Sequence, residues 1–460
     1  MDKKTVIDLL YRRYIEPTRH WRQDYIGVEI EMPIVNLNKE AVDFDVIHRL
    51  THKFIERFGF KAAGIDDQGN IYSAQSQKNG DILSYDCSYN NLELSFGKER
   101  SLAEIHSRFK SYYSFIQEYF REYNYTLTGM GVNPYRKYNH NVPIENGRYR
   151  MLFHHLASYK NYELPMYFHE YPDFGTFSSA SQVQLDVEYD KLPMTLNAFS
   201  KLEPIKALLF NNSLLLGEHG ELSCVRDMFW ENSTHGINPH NIGMYECDIE
   251  NVDDILSYIS STSIYCVERG DKYINFEPIN IVEYMTSDTI EGEYYENGGY
   301  KKISFTPEAD DIKYLRTFKF EDLTFRGTVE FRSVCCQPIH DCMSSAAFHA
   351  GLMDKLDELA YILDNDTTLY HNGYNQSELR KLFVRSELPE FINQDKVYAL
   401  AEKIVNISRE GLKQRGLGEE RFLSPLYERI ETRTNPAKSM TARLKNGESL
   451  ESVVKSFAEL

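Results

Sequence analysis

The segment Gly27-Val28-Glu29-Ile30-Glu31-Met32 decides the fold, because apolar and acidic side chains alternate along it. Successive side chains of a β-strand point to opposite faces of a sheet. One face of this strand is therefore apolar, and the other carries two neighbouring carboxylates. The segment predicts a sheet that covers a hydrophobic core on one side and presents acids on the other.

Three later segments, 92–96, 182–187 and 328–332, repeat this alternation. Their polar positions hold acids, amides and hydroxyls with one arginine, Arg332, and no lysine. A sheet face that is merely exposed to solvent accounts for one such strand. Over four strands, however, an ordinary solvated face would also include lysine. Acids brought together in this way repel one another unless cations lie among them. These acids are Glu29, Glu31, Glu93 and Glu330.

Asp86 is predicted to join this set through a turn. Its spacing from Glu93 is odd, so the two side chains would lie on opposite faces of one straight strand. A turn at Ser88-Tyr89-Asn90-Asn91 reverses the chain and returns both carboxylates to one site. Ligands that are all oxygen select hard cations, so the sequence predicts Mg²⁺ or Mn²⁺.

The formal charge of −18 over 460 residues predicts that neither nucleic acid nor an anionic membrane is a partner. The most apolar stretch, 205–216, contains polar residues and is too short to span a bilayer. The first residues lack the apolar core of a signal peptide. The seven cysteines include no CxxC spacing, which favours a reducing compartment over a disulfide framework. A cytoplasmic location is therefore predicted.

Strand-like and helical segments follow one another irregularly up to about residue 340, as in an α+β protein. From residue 341 onward the patterns are helical, with apolar positions such as Leu352, Leu356, Leu359 and Leu363. The sequence predicts a catalytic domain at 1–340 and a helical C-terminal region at 341–460 that packs on it. The absence of GxGxxG, Walker A and GxSxG motifs weakens Rossmann, P-loop and serine-hydrolase interpretations.

Five segments, in order, resemble motifs of the glutamate–cysteine ligase family, in the plant and bacterial branch related in fold to glutamine synthetase. The resemblance extends from about residue 20 to about residue 360. It implies a large, mostly antiparallel sheet that forms a concave active site, with helices on its outer face. The segments are 27–31, 86–93, 181–186, 223–230 and 329–333.

The resemblance also implies roles for individual residues. Gln184 is expected to contact metal or nucleotide, and Arg332 to bind phosphate and stabilise the transition state. Arg226 is expected to pair with a substrate carboxylate, and Trp230 to wall that pocket. The expected metal ligands are Glu29, Glu31, Asp86, Glu93 and Glu330, and Glu330 is also assigned to catalysis.

The implied reaction uses ATP and Mg²⁺ to join glutamate to cysteine through a γ-glutamyl phosphate, the first step of glutathione biosynthesis. The segment 231–236 departs from the family pattern, where a more charged, arginine-containing stretch is expected. A ligase of the same fold that uses another acid or amine therefore stays open. So do a phosphotransferase of related fold, a non-catalytic nucleotide- or metal-binding regulator, and the choice between monomer and homodimer.

Several other residues with reactive side chains are expected to have structural roles. His155 lies in a helical segment, which favours a packed or surface position. His235 and His240 flank glycine and proline, which favours a loop over metal binding. Cys335 and Cys336 are adjacent, and adjacent cysteines form only strained disulfides, so packing is favoured over redox control.

Overall fold

The computed structural model describes residues 1–245 and 247–460. The strands differ in length from two to eleven residues. They are β1 (Ile26–Asn36), β2 (Phe60–Ile65), β3 (Ile71–Ser76), β4 (Ile82–Tyr85), β5 (Asn91–Glu99), β6 (Tyr125–Leu127), β7 (Ser181–Asp186), β8 (Ile242–Gly243), β9 (Ser263–Arg269), β10 (Lys272–Asn280), β11 (Ile290–Glu296), β12 (Gly299–Phe305), β13 (Phe318–Lys319), β14 (Glu321–Leu323) and β15 (Thr328–Phe331).

The α-helices alternate with these strands in the first part of the chain and follow one another after residue 344. They are α1 (Lys3–Leu10), α2 (Phe44–Phe58), α3 (Leu102–Arg121), α4 (Gly147–Ala157), α5 (Leu192–Phe210), α6 (Val225–Glu231), α7 (Val252–Ser260), α8 (Ile281–Thr286), α9 (Ser344–Asp354), α10 (Leu356–Asp364), α11 (Gln376–Phe383), α12 (Gln394–Arg415), α13 (Ser424–Glu431), α14 (Pro436–Lys445) and α15 (Leu450–Ser456).

One large antiparallel sheet organises the molecule. Its strands follow the order β14-β15-β7-β1-β5-β4-β3-β2, and β6 pairs with the far end of β1. The strand β1, which contains the segment quoted first, lies near the centre between β7 and β5. The α+β class and the mostly antiparallel sheet predicted from the sequence are confirmed.

The strand register places the acidic side chains of distant segments on one face. Glu31 of β1 lies opposite Glu93 of β5, and Glu29 lies opposite Gln182 of β7. On the other side of β7, Gln184 lies opposite Glu330 of β15. Residues directly opposite in neighbouring strands point to the same side of a sheet, so one polar face extends across four strands.

The opposite face of the sheet is apolar and fully covered. Val28 and Ile30 of β1, Leu94 of β5 and Val329 of β15 are at most 2% exposed. The helices α9 and α5 pack behind β7, β1 and β14, while α2 and α3 cover β2, β3 and β5. Burial of these side chains is the main source of stability for the sheet.

The helices that follow β15 form a layer behind the sheet, and its centre is the crossing of α9 and α12. Gly351 and Gly411 make this crossing unusually close. A methyl group on Gly411 would lie 2.0 Å from the carbonyl oxygen of Gly351, and one on Gly351 would lie 2.2 Å from that of Ser408. The two helices therefore meet backbone to backbone.

A smaller antiparallel sheet, β12-β11-β10-β9, lies beside α4 and completes the fold. The strands β8 and β13 form a short parallel pair. Within the described ranges 1–245 and 247–460, no helix combines the length and the apolar character needed to cross a membrane.

Candidate active site

The polar face of the large sheet forms one wall of a cavity of about 630 Å³. Parts of α4, α6 and the chain from residue 313 to residue 326 form the other walls. Both acids of β1 line this cavity, together with polar residues of β4, β5, β7 and β15. The concave site expected from the sequence therefore exists on the predicted face.

Three carboxylates form the densest acidic cluster in this cavity. Glu31, Asp86 and Glu93 each offer one oxygen, and these oxygens all lie within 4.8 Å of one another. We call these residues the first carboxylate set. The hairpin between β4 and β5 reverses at residues 86–90, so the predicted turn does bring Asp86 to the side of Glu93. The set fits a divalent cation, because hard cations prefer clustered carboxylate oxygens.

The electrostatics of this set also point to a cation. Burial, with repulsion from Asp86 and Glu93, raises the pKa of Glu31 to about 8. Burial and Asp86 raise the pKa of Glu93 to about 7, and burial raises the pKa of Asp86. Without a positive charge among them, the three carboxylates cannot all be ionised near neutral pH.

Glu31 is fixed before any ligand binds. Its Oε2 accepts a hydrogen bond from the backbone N–H of Ala180 at 2.6 Å, and its Oε1 accepts one from Nε2 of Gln182 at 2.7 Å. The amide oxygen of Gln182 then has no partner, although it is buried and the residue lines the cavity. An unpaired buried oxygen beside three carboxylates fits a further metal ligand.

Glu29 and Glu330 lie on the same face beside this cluster, and we call them the second carboxylate set. Burial, with repulsion from Glu330 and Glu93, raises the pKa of Glu29 well above its usual range. Nη1 of Arg332 lies 3.1 Å from Oε1 of Glu330. Burial opposes the charge of Arg332, but Glu330 and Asp322 outweigh it and raise the pKa of the guanidinium.

Gln184 takes a different position from its neighbour Gln182. Its Nε2 donates to Oε1 of Glu29 at 3.0 Å, and its Oε1 accepts from Arg326 at 2.8 Å. Gln184 thus adjoins the second carboxylate set, with both amide atoms already paired. The alternation of β7 pointed to both glutamines, and only the free amide oxygen in the structure distinguishes Gln182.

Arg226 and Trp230 of α6 form the part of the cavity that was expected to bind an amino acid. The Arg226 guanidinium is buried and donates to the backbone carbonyls of Ser333 and Arg332 at 3.2 and 3.4 Å. In the described part of the chain it has no carboxylate within salt-bridge distance. Trp230 stacks on Phe318, with 4.5 Å between ring centroids.

A buried ionic network behind the cavity holds α6 in place. Arg380 of α11 donates to both carboxylate oxygens of Asp227 at 2.8 and 3.1 Å. It also donates to Oε2 of Glu203 at 2.8 Å, and Glu203 accepts from the hydroxyl of Ser333 at 2.9 Å. Through these bonds the helical layer fixes the residues next to Arg226 and Arg332.

The cysteines are free thiols in the described residues. Cys335 and Cys336 are buried, as expected, and Sγ of Cys335 lies 3.6 Å from Sγ of Cys224 at the start of α6. The guanidinium groups of two arginines on the cavity wall, Arg148 and Arg316, form no hydrogen bond or ion pair with any described residue. No sequence motif had distinguished either arginine.

Comparison with known proteins agrees with this geometry. The family model described as glutamate–cysteine ligase family 2 matches residues 25–456. The chloroplastic glutamate–cysteine ligase of Solanum lycopersicum is 24% identical over 327 residues, and the match spans 69% of this chain but only 57% of that protein. The chloroplastic glutamate–cysteine ligase of Brassica juncea is 22% identical over 448 residues, spanning 96% of this chain and 80% of that protein.

Among solved structures, glutamate–cysteine ligase from Francisella tularensis in complex with AMP has a similar fold. The TM-score is 0.51 at 11% identity, and the alignment covers 96% of this chain and 89% of that chain. The chain therefore has the glutamine synthetase-like fold that the sequence predicted. Because the family model spans nearly its whole length, the chain belongs to glutamate–cysteine ligase family 2.

Proposed function

We propose that this chain is an ATP- and Mg²⁺-dependent ligase that joins the γ-carboxylate of glutamate to the amine of cysteine. The products are γ-glutamylcysteine, the first intermediate of glutathione biosynthesis, ADP and phosphate. The observation that carries the proposal is the first carboxylate set, three carboxylates within 4.8 Å of one another, in a cavity that also contains Arg226 and Arg332. Membership of the family supports the same reaction.

The two carboxylate sets would hold divalent cations, with Gln182 as an added oxygen ligand of the first set and Gln184 adjoining the second. Mg²⁺ or Mn²⁺ held there would neutralise phosphate oxygens and would let a protein of charge −18 bind the tetra-anion ATP. The register of β1 with β5 and β7 keeps the ligands on one rigid surface. Ligands held on sheet strands need little rearrangement on binding.

In the first step an oxygen of the glutamate γ-carboxylate attacks the γ-phosphorus of ATP. The bond from that phosphorus to the β–γ bridging oxygen breaks, and ADP leaves with the electron pair. The product is γ-glutamyl phosphate, in which phosphate replaces oxide as leaving group. Arg332, held against Glu330, donates to the oxygens of the transferring phosphoryl group, where catalysis depends on positioning and charge stabilisation.

In the second step the nitrogen of the acceptor amine attacks the acyl carbon. The carbon–oxygen bond to phosphate breaks, and the nitrogen loses a proton as the amide forms. Arg226, which has no carboxylate partner among the described residues, binds a carboxylate of one of the two amino acids. The stacked rings of Trp230 and Phe318 cover the site and limit hydrolysis of the acyl phosphate by water.

An assay of the purified protein with ATP, Mg²⁺, glutamate and a panel of amines tests this proposal. We expect ADP release that depends on both glutamate and cysteine, and a product whose mass is the sum of the two amino acids less one water. Glu31→Gln should abolish turnover, whereas Glu99→Gln, on β5 but outside the cavity, should not. ADP release with cysteine that stays at the level without protein would reject the proposal.

The second candidate is a ligase of the same fold that uses another acid or amine. One observation favours it. His235 belongs to the segment 231–236, which departs from the family pattern, and this residue lines the cavity. The same panel separates the two candidates by the amine that gives the highest kcat/KM. A phosphotransferase would instead give a product heavier by one phosphoryl group.

A further inference from the structure

One end of the cavity contains buried polar atoms that have no partner. Nε2 of His235 and the hydroxyl of Tyr265 form no hydrogen bond within the described part of the chain, and both residues line the cavity. Nε2 of His155, directly behind them, is also unpaired. These side chains are at most 4% exposed. Because His235 and Tyr265 line the cavity, a ligand bound there can pair with their free polar atoms.

The three rings form one compact group. His155 stacks on Tyr265, with 3.9 Å between centroids and an angle of 12° between planes. His235 lies 5.1 Å from His155 and 5.4 Å from Tyr265. We call these three residues, together with Arg316, the histidine pocket.

The chain reaches this arrangement through a tight turn after α6. Gly236 follows His235, and a methyl group at Gly236 would lie 2.1 Å from the carbonyl oxygen of Glu231. Only glycine lets the chain fold back so closely, and this places His235 against the rings of Trp230 and Phe318 at 5.6 and 4.2 Å. The turn therefore directs an imidazole into the cavity.

The histidine pocket suits an anion that accepts hydrogen bonds. Burial, with His155 and Arg316, lowers the pKa of His235 well below its usual range, and burial lowers the pKa of His155 to about 3. Both imidazoles are thus neutral at pH 7, and His235, which lines the cavity, can donate one N–H into it, as the hydroxyl of Tyr265 can. Arg316, whose guanidinium forms no ion pair within residues 1–245 and 247–460, supplies the positive charge.

The charge distribution of the cavity also orients a zwitterion. Its acidic end, at the two carboxylate sets, attracts an ammonium group and the metals that bind phosphate. The part lined by Arg316, which lies close enough to His235 to lower its pKa, repels an ammonium group and attracts a carboxylate. A substrate that carries both groups, as an α-amino acid does, is aligned by this field.

We propose that the histidine pocket binds the α-carboxylate of one of the two amino-acid substrates and selects amino acids over amines or acids that lack it. The proposal rests on the function proposed above, in which two amino acids enter one cavity. Arg226 takes one carboxylate, and the histidine pocket takes the other. Glutamate, the acyl donor, and cysteine, the acceptor, both carry an α-carboxylate. The experiment therefore has one arm for each substrate.

Each arm compares a substrate with its α-decarboxylated analogue. In the donor arm, glutamate and 4-aminobutyrate are compared by hydroxamate formation with hydroxylamine, which needs no amino-acid acceptor. In the acceptor arm, cysteine and cysteamine are compared at saturating glutamate. We expect a preference in kcat/KM of at least about 100-fold for the carboxylate-bearing substrate, as for sites built to bind a polar group.

Tyr265→Phe, His235→Asn and Arg316→Met should reduce that preference at least about tenfold in one arm, with little change in the rate for the analogue. His235→Gln, which keeps a donor near the Nε2 position, should retain more of the preference than His235→Asn. Tyr113→Phe is the matched control, because that buried hydroxyl bonds the carbonyl of Ala458 far from the cavity.

Two results would overturn the proposal. If all three pocket variants fold, as judged by their melting temperatures, and retain the preference of the wild type in both arms, the pocket does not bind the α-carboxylate. If hydroxamate forms but the wild type shows no preference in either arm, the pocket assignment fails and the ligase function stands. Absence of both hydroxamate and ADP would reject the ligase function and this inference with it.

Discussion

Glu31 and Glu93 face each other directly across the β1–β5 pair on the cavity side of the sheet. Like charges in this position destabilise a sheet, and the pKa of each carboxyl is raised, to about 8 and about 7. The two carboxylates repel each other when both are ionised, and the divalent cation proposed above would relieve this repulsion.

We expect Glu93→Gln to raise the melting temperature of the protein in EDTA at pH 8 and to abolish the further increase caused by Mg²⁺. The pKa of Glu31 is 4.5 in an unfolded chain and about 8 here, so stability of the metal-free protein is lost as pH rises between these values. Melting curves with EDTA and with Mg²⁺ at pH 6 and pH 8 measure both effects. Glu99→Gln on the same strand is the control, and an equal Mg²⁺ response in both variants would contradict the site.

We expect Arg332→Lys to lower kcat by about 100-fold or more, as removal of one preorganised donor from a transition state does. Lysine keeps the charge beside Glu330 but loses the planar fork that we propose binds two phosphoryl oxygens. Melting temperature and its response to Mg²⁺ should change little. Arg108 pairs with Asp81 outside the cavity, so Arg108→Lys should leave kcat unaltered. A wild-type kcat in Arg332→Lys would remove the arginine from the mechanism.

We expect Arg380→Met to destabilise the protein by about 3–5 kcal/mol, because it leaves the carboxylate of Asp227 buried without its cationic partner and leaves Glu203 with Lys206 alone. Urea denaturation of the two proteins measures the difference. Arg433→Met removes an ion pair with Asp395 in which both side chains are exposed, and should cost about 1 kcal/mol or less. Similar values for the two variants would show that the buried network contributes little.

We expect His349→Phe to make the protein more resistant to acid. His349 is fully buried between aromatic rings, and burial and Lys206 lower its pKa from 6.5 to about 3. Below pH 6.5 the unfolded chain binds a proton that the folded chain does not, so stability falls as pH falls. Relative to the variant, the wild type should lose about 2 kcal/mol between pH 7.5 and pH 5. If the free energies of unfolding of the wild type and His349→Phe changed equally with pH, His349 would not be the group responsible for the acid sensitivity.

The large sheet and its acidic face could be predicted because the signal was local. Alternation around Glu29 and Glu31 identified β1, and the turn after Asp86 correctly placed that carboxylate beside Glu93. Confirmed predictions thus come from segments whose pattern matches their burial.

The remaining features depend on contacts that no local pattern reveals. The strands β2, β3, β11 and β12 have mixed, partly exposed side chains, so alternation did not mark them. His235 was expected in a loop, and only the fold brings it against Tyr265, which is thirty residues later. The difference between Gln182 and Gln184 depends on which amide oxygen stays unpaired, a property of three neighbouring strands.

The close crossing of α9 and α12 has a consequence for substrate entry. Helices that touch through Gly351 and Gly411 have no compliant side-chain layer between them. Neither helix can tilt or slide without its backbone clashing with the backbone of the other. The layer behind the sheet acts as a rigid plate. Any movement that opens the cavity has to come from the wall opposite the large sheet, where α4 and the small β9–β12 sheet lie.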